Sequence, residues 1–366
     1  MRHILLFALI LASTTQALGD NDNWGVSYKY KDQKYSEKLV PNMASLRSQD
    51  SVGICYAVSA SVLLNTENCR KKGIKDCKAL PADQSISSLG VARYSDPKDA
   101  QVFADQGFRR MKLTEGSAYG VLKAVTRMGG APAEGCISLD QVLSKLGNSN
   151  NEKEREDEIK TAQQKVWDKL RDTYMKMKDP SCSKCTSDIY STAKEVNEDL
   201  NLSEPIDQGK MMSSFSKDSL DIALNSLLYP KKCSDNLVEF DRSMKVKVYP
   251  EKDYGLDKVN QNKGYEAFVT KMKEVMGGEV PHPVIMGFCA LDKPTKACQD
   301  GQHAVVLAGY REYCDDGKPK KCKYEVKAGN SWGESWQKGH NDGWIDAKTL
   351  FDRTFYGEAS MLWLED

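Results

Sequence analysis

No apolar run in this chain approaches the roughly 18 residues that a bilayer span needs; the longest, Ile4 to Ala12, is half that. Net charge is missing too. Basic and acidic residues stand at 52 each, so no broad field exists to gather nucleic acid or anionic lipid, and substrate choice falls to a local site. Histidine is scarce, at four. The eleven cysteines cannot all be paired within one chain, and Cys182-Ser183-Lys184-Cys185 has no second such pair and no nearby histidine to complete a zinc site.

What is present begins with the features of export. Arg2 and His3 precede the apolar run, and Thr15-Gln16-Ala17 offers small residues where a signal peptidase cuts. Residues 1–17 are therefore expected to leave as a signal peptide. The mature chain is expected to be soluble, without a membrane anchor, and to reach an oxidising compartment: secreted, periplasmic, vacuolar or lysosomal. Cys69 with Cys77, Cys289 with Cys298, and Cys314 with Cys322 bracket short loops suited to disulfides. Cys136, Cys182, Cys185 and Cys233 would form two more bonds of open connectivity, with structural zinc at Cys182 and Cys185 as the alternative. Cys55 is then the cysteine left as a thiol.

Periodicity divides the chain. Cys55 to Leu64 is small and apolar on nearly every side, as in a buried helix, and the polar run Gln49 to Gly53 gives it a tight entry. Gly116 to Met128 has helical spacing through Tyr119, Leu122, Val125 and Met128, and Gly129-Gly130 ends it. Leu139 to Ser203 is highly charged, with a sparse stripe from Ile159 to Met177 that reads as a surface helix closed by Pro180; a second helix is predicted over 187–200. Short Val, Ile and Tyr-rich runs at 284–288, 304–310 and 323–327 read as an antiparallel sheet. The order is α+β: an N-terminal segment (18–40), a helical lobe (41–138), a charged, mainly helical insertion (139–280) and a strand-rich lobe (281–366).

Three separated segments carry a resemblance to the papain-like cysteine peptidases: QDSVGICYAVSA around Cys55, GQHAVVLAGY around His303, and NSWGESW from Asn330 with GWI from Gly343. The resemblance implies a two-lobed fold, a helical lobe against a β-barrel-like one, with the charged region inserted. It implies Cys55 as nucleophile, His303 as base and acid, and Asn330 as the group orienting the imidazole. Gln49 and the Cys55 backbone N–H would form the oxyanion hole. Trp332 would shield the histidine–asparagine bond, and Gly116, Ser117 and Ala304 would line substrate. It implies no metal and no organic cofactor.

The chemistry suits those residue types. A cysteine in the first turn of a helix lies among N–H groups with no intrahelical acceptor, which favours the thiolate. A nearby imidazole completes a nucleophile–base pair, and two aimed donors stabilise the tetrahedral oxyanion. Elimination also favours His303: His3 leaves with the signal, His282 lies between two prolines, and His340 sits in a Gly/Asn/Asp-rich turn, whereas His303 begins a strand-like run.

Departures from the family pattern are equally specific. Val52 stands where a further cysteine is usual, and the region expected to hold its partner, 84–94, has no cysteine either. Tyr56 replaces a tryptophan, and Gln302 replaces an aspartate or asparagine. One extra residue is expected between Lys327 and Asn330, a bulge that strains the reach from Asn330 to His303. Family zymogens carry an inhibitory propeptide for which the stretch between Ala17 and Cys55 is too short, so either export of an active enzyme or coverage of the cleft by the insertion is expected. Peptide or protein is the expected substrate, and the 139–280 insertion is a candidate for a protein partner or for autoinhibition. A silent secreted binding protein of the same fold, or an acyl-transfer enzyme acting on isopeptides or cell-wall peptides, are the alternatives.

Overall fold

The computed structural model describes residues 34–50, 52–94, 116–183, 185–217, 220–249, 261–290, 302–315, 318–354 and 361–366. The expected signal peptide lies outside them, as do most of the N-terminal segment and Cys298. The chain divides into two units, one of residues 42–246, 331–335 and 364–366, the other of residues 1–41, 247–330 and 336–363.

The first unit is built on the helix Cys55–Lys72. Every residue from Tyr56 to Cys69 is buried, which explains why its sequence shows small apolar residues all round rather than a stripe. Gly73, at φ 65°, stops it by turning its N–H back to the Arg70 and Cys69 carbonyls. Arg70, Lys71 and Lys72 fill the last turn, where positive charge meets the negative end of the helix dipole. Asp366 pairs with Lys71 and, at 3.6 Å, with Arg70, so the final residue is held on this helix end. The helix Ala118–Met128 packs alongside, ending at Gly129 with φ 72°.

The charged region belongs in part to this unit. Its long helix, Glu152–Lys178, starts where Asn151 accepts from the Lys153 and Glu154 N–H groups. Val166, Leu170 and Tyr174 of the expected stripe are buried. Cys185–Asp199 packs against it, followed by Gln208–Phe215 and Leu220–Leu228. Tyr174 meets Phe215 edge to face with centroids 5.7 Å apart. The 139–280 stretch is divided rather than kept whole: residues 139–246 lie in this unit and 247–280 in the other.

Nine strands are described: β1 (Ser36–Leu39), β2 (Gly130–Pro132), β3 (Leu237–Glu239), β4 (Lys245–Tyr249), β5 (Val284–Cys289), β6 (Gln302–Asp315), β7 (Lys318–Gly329), β8 (Trp344–Asp346) and β9 (Met361–Glu365). β2 and β3 form a small ribbon of the first unit. The others form one sheet in the order β4-β9-β5-β6-β7-β8, with β1 also on β6. Its described registers are antiparallel. Among the described strands the antiparallel sheet runs from β4 to β8 and branches at β6, which is long enough to pair with three neighbours.

The expected bulge before Asn330 lies on the opposite strand. Leu307 pairs with Ala328 and Tyr310 with Val326, so the extra residue is in β6, around Ala308 and Gly309. Gly309 is required because β1 crosses so closely: a Cβ there would lie 2.4 Å from the Lys38 carbonyl oxygen. Beyond the bulge, Arg311 stacks 3.8 Å from the Trp344 ring and 4.5 Å from that of Tyr35, while its Nε donates to Glu37 at 2.7 Å.

Disulfides settle the open connectivity. Cys69–Cys77 and Cys314–Cys322 form as the spacing predicts. Cys136 bonds Cys233 across 97 positions, and Cys182 bonds Cys185, which takes the zinc alternative's two thiols out of use. Cys289 is disulfide-bonded; its expected partner, Cys298, is outside the described residues. Four described disulfides fit an oxidising compartment. No described helix is long and apolar enough to cross a membrane.

Candidate functional site

In the strand-rich unit, β6 carries His303 and β7 delivers Asn330 one residue past its end. Val306 pairs with Gly329 and Leu307 with Ala328, so ladder register, not loop conformation, sets the separation of the two side chains. His303 Nε2 lies 2.8 Å from Asn330 Oδ1. An amide oxygen only accepts, so Nε2 carries the proton and Nδ1 of the neutral ring keeps its lone pair. Asn330 is fully buried and His303 nearly so. Phe288, opposite His303 on β5, meets the imidazole edge to face at 5.7 Å.

Burial sets the charge of this ring. It pushes the His303 pKa down from 6.5 to about 4, against the smaller upward pull of the Asn330 hydrogen bond. The imidazole is therefore neutral at physiological pH. Ala304, beside it, is buried and pairs with Gly287.

In the helical unit, Cys55 is the first residue of its helix, half-buried, and carries a thiol. Ile54 precedes it as N-cap without a side-chain capping bond, leaving the positive end of the dipole uncompensated by a capping oxygen. The entry is a compact turn: Asp50 adopts φ 48°, and the N–H of Val52 donates to the Gln49 carbonyl at 3.0 Å. Val52 is buried, so an aliphatic side chain fills the place where the resemblance expects a cysteine.

Gln49 is tied at both ends to the segment that follows Asn330. Its N–H donates to the Ser331 carbonyl at 2.8 Å, and Ser331 Oγ donates to Gln49 Oε1 at 2.5 Å. The oxygen end of the Gln49 amide is thus occupied, and its nitrogen end is a donor. Asp50, next along, has its carboxyl raised from 3.8 to about 6, chiefly by burial, with the Ser48 hydroxyl pulling the other way.

The remaining expected residues are placed less tellingly. Trp332 is half-buried in the turn before the short helix Glu334–Gly339. Gly116 and Ser117 lie at the start of the Ala118–Met128 helix, Ser117 as an N-cap whose side chain makes no capping bond. Of the other histidines, His282 is buried, and His340 stacks on Trp336 with its Nδ1 2.7 Å from the Trp336 carbonyl.

Two residues bonded near these positions are not singled out by the sequence. Ser331 lies inside the NSWGESW motif, but nothing local in the sequence points to its bond with Gln49, 282 positions away. Glu156, in the charged helix, accepts from Ser335 Oγ, and nothing in a run of solvated Glu and Lys singles it out.

No family model and no curated protein sequence matches the chain. Among solved structures, it is similar to the SERA5 proenzyme of Plasmodium falciparum, at 13% identity and TM-score 0.40, over 88% of this chain and 62% of that one. It is similar also to SERA5E of Plasmodium falciparum, at 14% identity and TM-score 0.40, over 92% of this chain and 94% of that one. The chain thus spans 62% of the length of the first of these. A likeness this loose fixes neither a fold family nor an activity.

Proposed function

We propose that this chain is a papain-like cysteine peptidase that hydrolyses peptide bonds through a thioester on Cys55. The observation that carries the reading is the buried bond from His303 Nε2 to Asn330 Oδ1 at 2.8 Å, which leaves Nδ1 as the nitrogen able to take a thiol proton. The order of the three motifs and the position of Cys55 at a helix start support it.

In this mechanism Nδ1 of His303 removes the Cys55 proton as sulfur attacks the scissile carbonyl carbon. The Cys55 N–H and the Gln49 side-chain amide hold the resulting oxyanion, a contribution of about 3 kcal/mol per well-placed donor. The imidazolium returns its proton to the leaving amine, the C–N bond breaks, and a thioester remains. Water then attacks with its proton passing to Nδ1, and the acid product leaves with the thiol restored. Asn330 holds the ring through both transfers.

The test is alkylation of Cys55 by iodoacetamide, located by mass spectrometry. Modification at pH 6 is expected to be at least tenfold faster than for the same chain with His303→Ala, because only a thiol assisted by the imidazole reacts quickly below its ordinary pKa of about 8.5. Equal rates would remove the pair. Burial of His303 favours a second reading, a silent secreted binding protein, since a ring held at a pKa of about 4 resists becoming the imidazolium that catalysis requires. Assisted alkylation without cleavage of any peptide would select that reading; cleavage confined to isopeptides or cell-wall peptides would select acyl transfer of another class.

A further inference from the structure

The helix Glu152–Lys178 reads in the sequence as solvated surface, yet one of its carboxylates reaches 179 positions along the chain. Glu156 Oε2 accepts from Ser335 Oγ. Its other oxygen lies over Gly333, which has φ 98°; a Cβ on that glycine would sit 2.7 Å from Glu156 Oε1. One carboxylate therefore covers two points of the segment 331–335. At the other end of the segment, Ser331 makes its two bonds to Gln49, one through its carbonyl and one through its hydroxyl.

We infer that Glu156 is a positioning residue of the active site, fixing the 331–335 segment so that Ser331 holds the Gln49 amide in its donating orientation. The inference rests on the peptidase reading above and gives the inserted helix a part in it. Gly333 itself brings no side chain to pack, and its backbone lies in the left-handed region. A mobile 331–335 segment would let the Gln49 amide rotate, and a donor that must reorganise during reaction stabilises the oxyanion less. The consequence falls on the tetrahedral state rather than on substrate binding.

The experiment uses the full mature chain with Glu156→Ala, Glu156→Gln, Ser335→Ala and the Glu156→Ala/Ser335→Ala double variant. Steady-state peptide cleavage and backbone amide exchange of residues 331–335 are measured on each. Glu156→Ala is expected to lower kcat about tenfold, equivalent to one hydrogen bond's contribution, with KM held within about twofold. Exchange at 331–335 rises, Glu156→Gln recovers most of kcat because an amide oxygen still accepts, and the double variant is no worse than Glu156→Ala alone. Unchanged kcat with unchanged exchange overturns the inference, as do independent, multiplying losses in the double variant. If the wild-type chain cleaves nothing, the peptidase reading falls separately, and unaltered 331–335 exchange in Glu156→Ala would then dispose of the clamp itself.

Discussion

His303 Nε2 and Asn330 Oδ1 stand 2.8 Å apart in a buried setting, held there by the pairing of β6 with β7. The bond fixes both the tautomer and the ring plane. Asn330→Ala is expected to reduce kcat about tenfold, the contribution of one orienting hydrogen bond, while leaving KM near its wild-type value. Steady-state kinetics on a peptide substrate measures it. A rate equal to wild type would show that the imidazole is oriented by something else.

The two shifted groups of the site act on stability in opposite directions. His303 is lowered to about 4, so the folded state refuses a proton that the unfolded chain accepts below 6.5; its contribution is whole above pH 6.5 and is lost as pH falls toward 4. Asp50 is raised to about 6, so its contribution is whole below 3.8 and is lost as pH rises through 6. Each effect is on the order of 3 kcal/mol at full extent. Urea unfolding of His303→Gln and Asp50→Asn, each taken relative to wild type from pH 4 to 6.5, is expected to give difference curves of opposite slope. Parallel curves would refute the assignment of either burial.

On the proposed peptidase reading, activity carries its own pH signature. A base that must be neutral, with its pKa near 4, places the acid limb of kcat/KM near that pH rather than near 6.5. The pH–rate profile of wild-type protein reads it directly. An acid limb at 6.5 would mean that the ring is solvated in the working enzyme.

Gly309→Ala tests the branch in the sheet. The new methyl would meet the Lys38 carbonyl oxygen at 2.4 Å, so β1 has to leave β6 or β6 has to shift. A loss of about 1–3 kcal/mol is expected in urea unfolding, as for other overpacked sites. Unchanged stability would mean that β1 is not seated there.

Among the disulfides, Cys136–Cys233 closes the longest described loop, a separation of 97 against 8 for Cys69–Cys77. On the chain-entropy account the long bond contributes about 4.7 kcal/mol and the short one about 2.5. The Cys136→Ser/Cys233→Ser pair is therefore expected to cost more stability than Cys69→Ser/Cys77→Ser, by about 2 kcal/mol. The reverse ranking would show that local geometry, not loop closure, decides.

Local features were legible in the sequence because each has a local cause. The all-round apolar run after Cys55, entered by a polar turn, reads as a buried helix, Gly129-Gly130 reads as the stop of another, and cysteines eight positions apart across a turn read as a pair. The antiparallel sheet followed from Val, Ile and Tyr-rich runs separated by turns. Long-range choices were not legible. Cys136 had three possible partners, and nothing local distinguishes Cys233. The extra residue near Asn330 was visible as a count, but which strand bulges depends on the approach of β1, which places Gly309 under Lys38. Glu156 looks like each of its solvated neighbours until the fold brings Ser335 beside it. The division of 139–280 between two units is hidden for the same reason: the charged composition continues across it.

The most direct measurement is digestion of a mixed peptide library by the mature protein and by its Cys55→Ala variant, with products identified by mass spectrometry and folding of both checked by circular dichroism. Cleavage by the wild type, and none by a folded Cys55→Ala, is the expected result. Cleavage that survives the loss of the sulfur, or a folded wild type that cuts no peptide in the library, would contradict it.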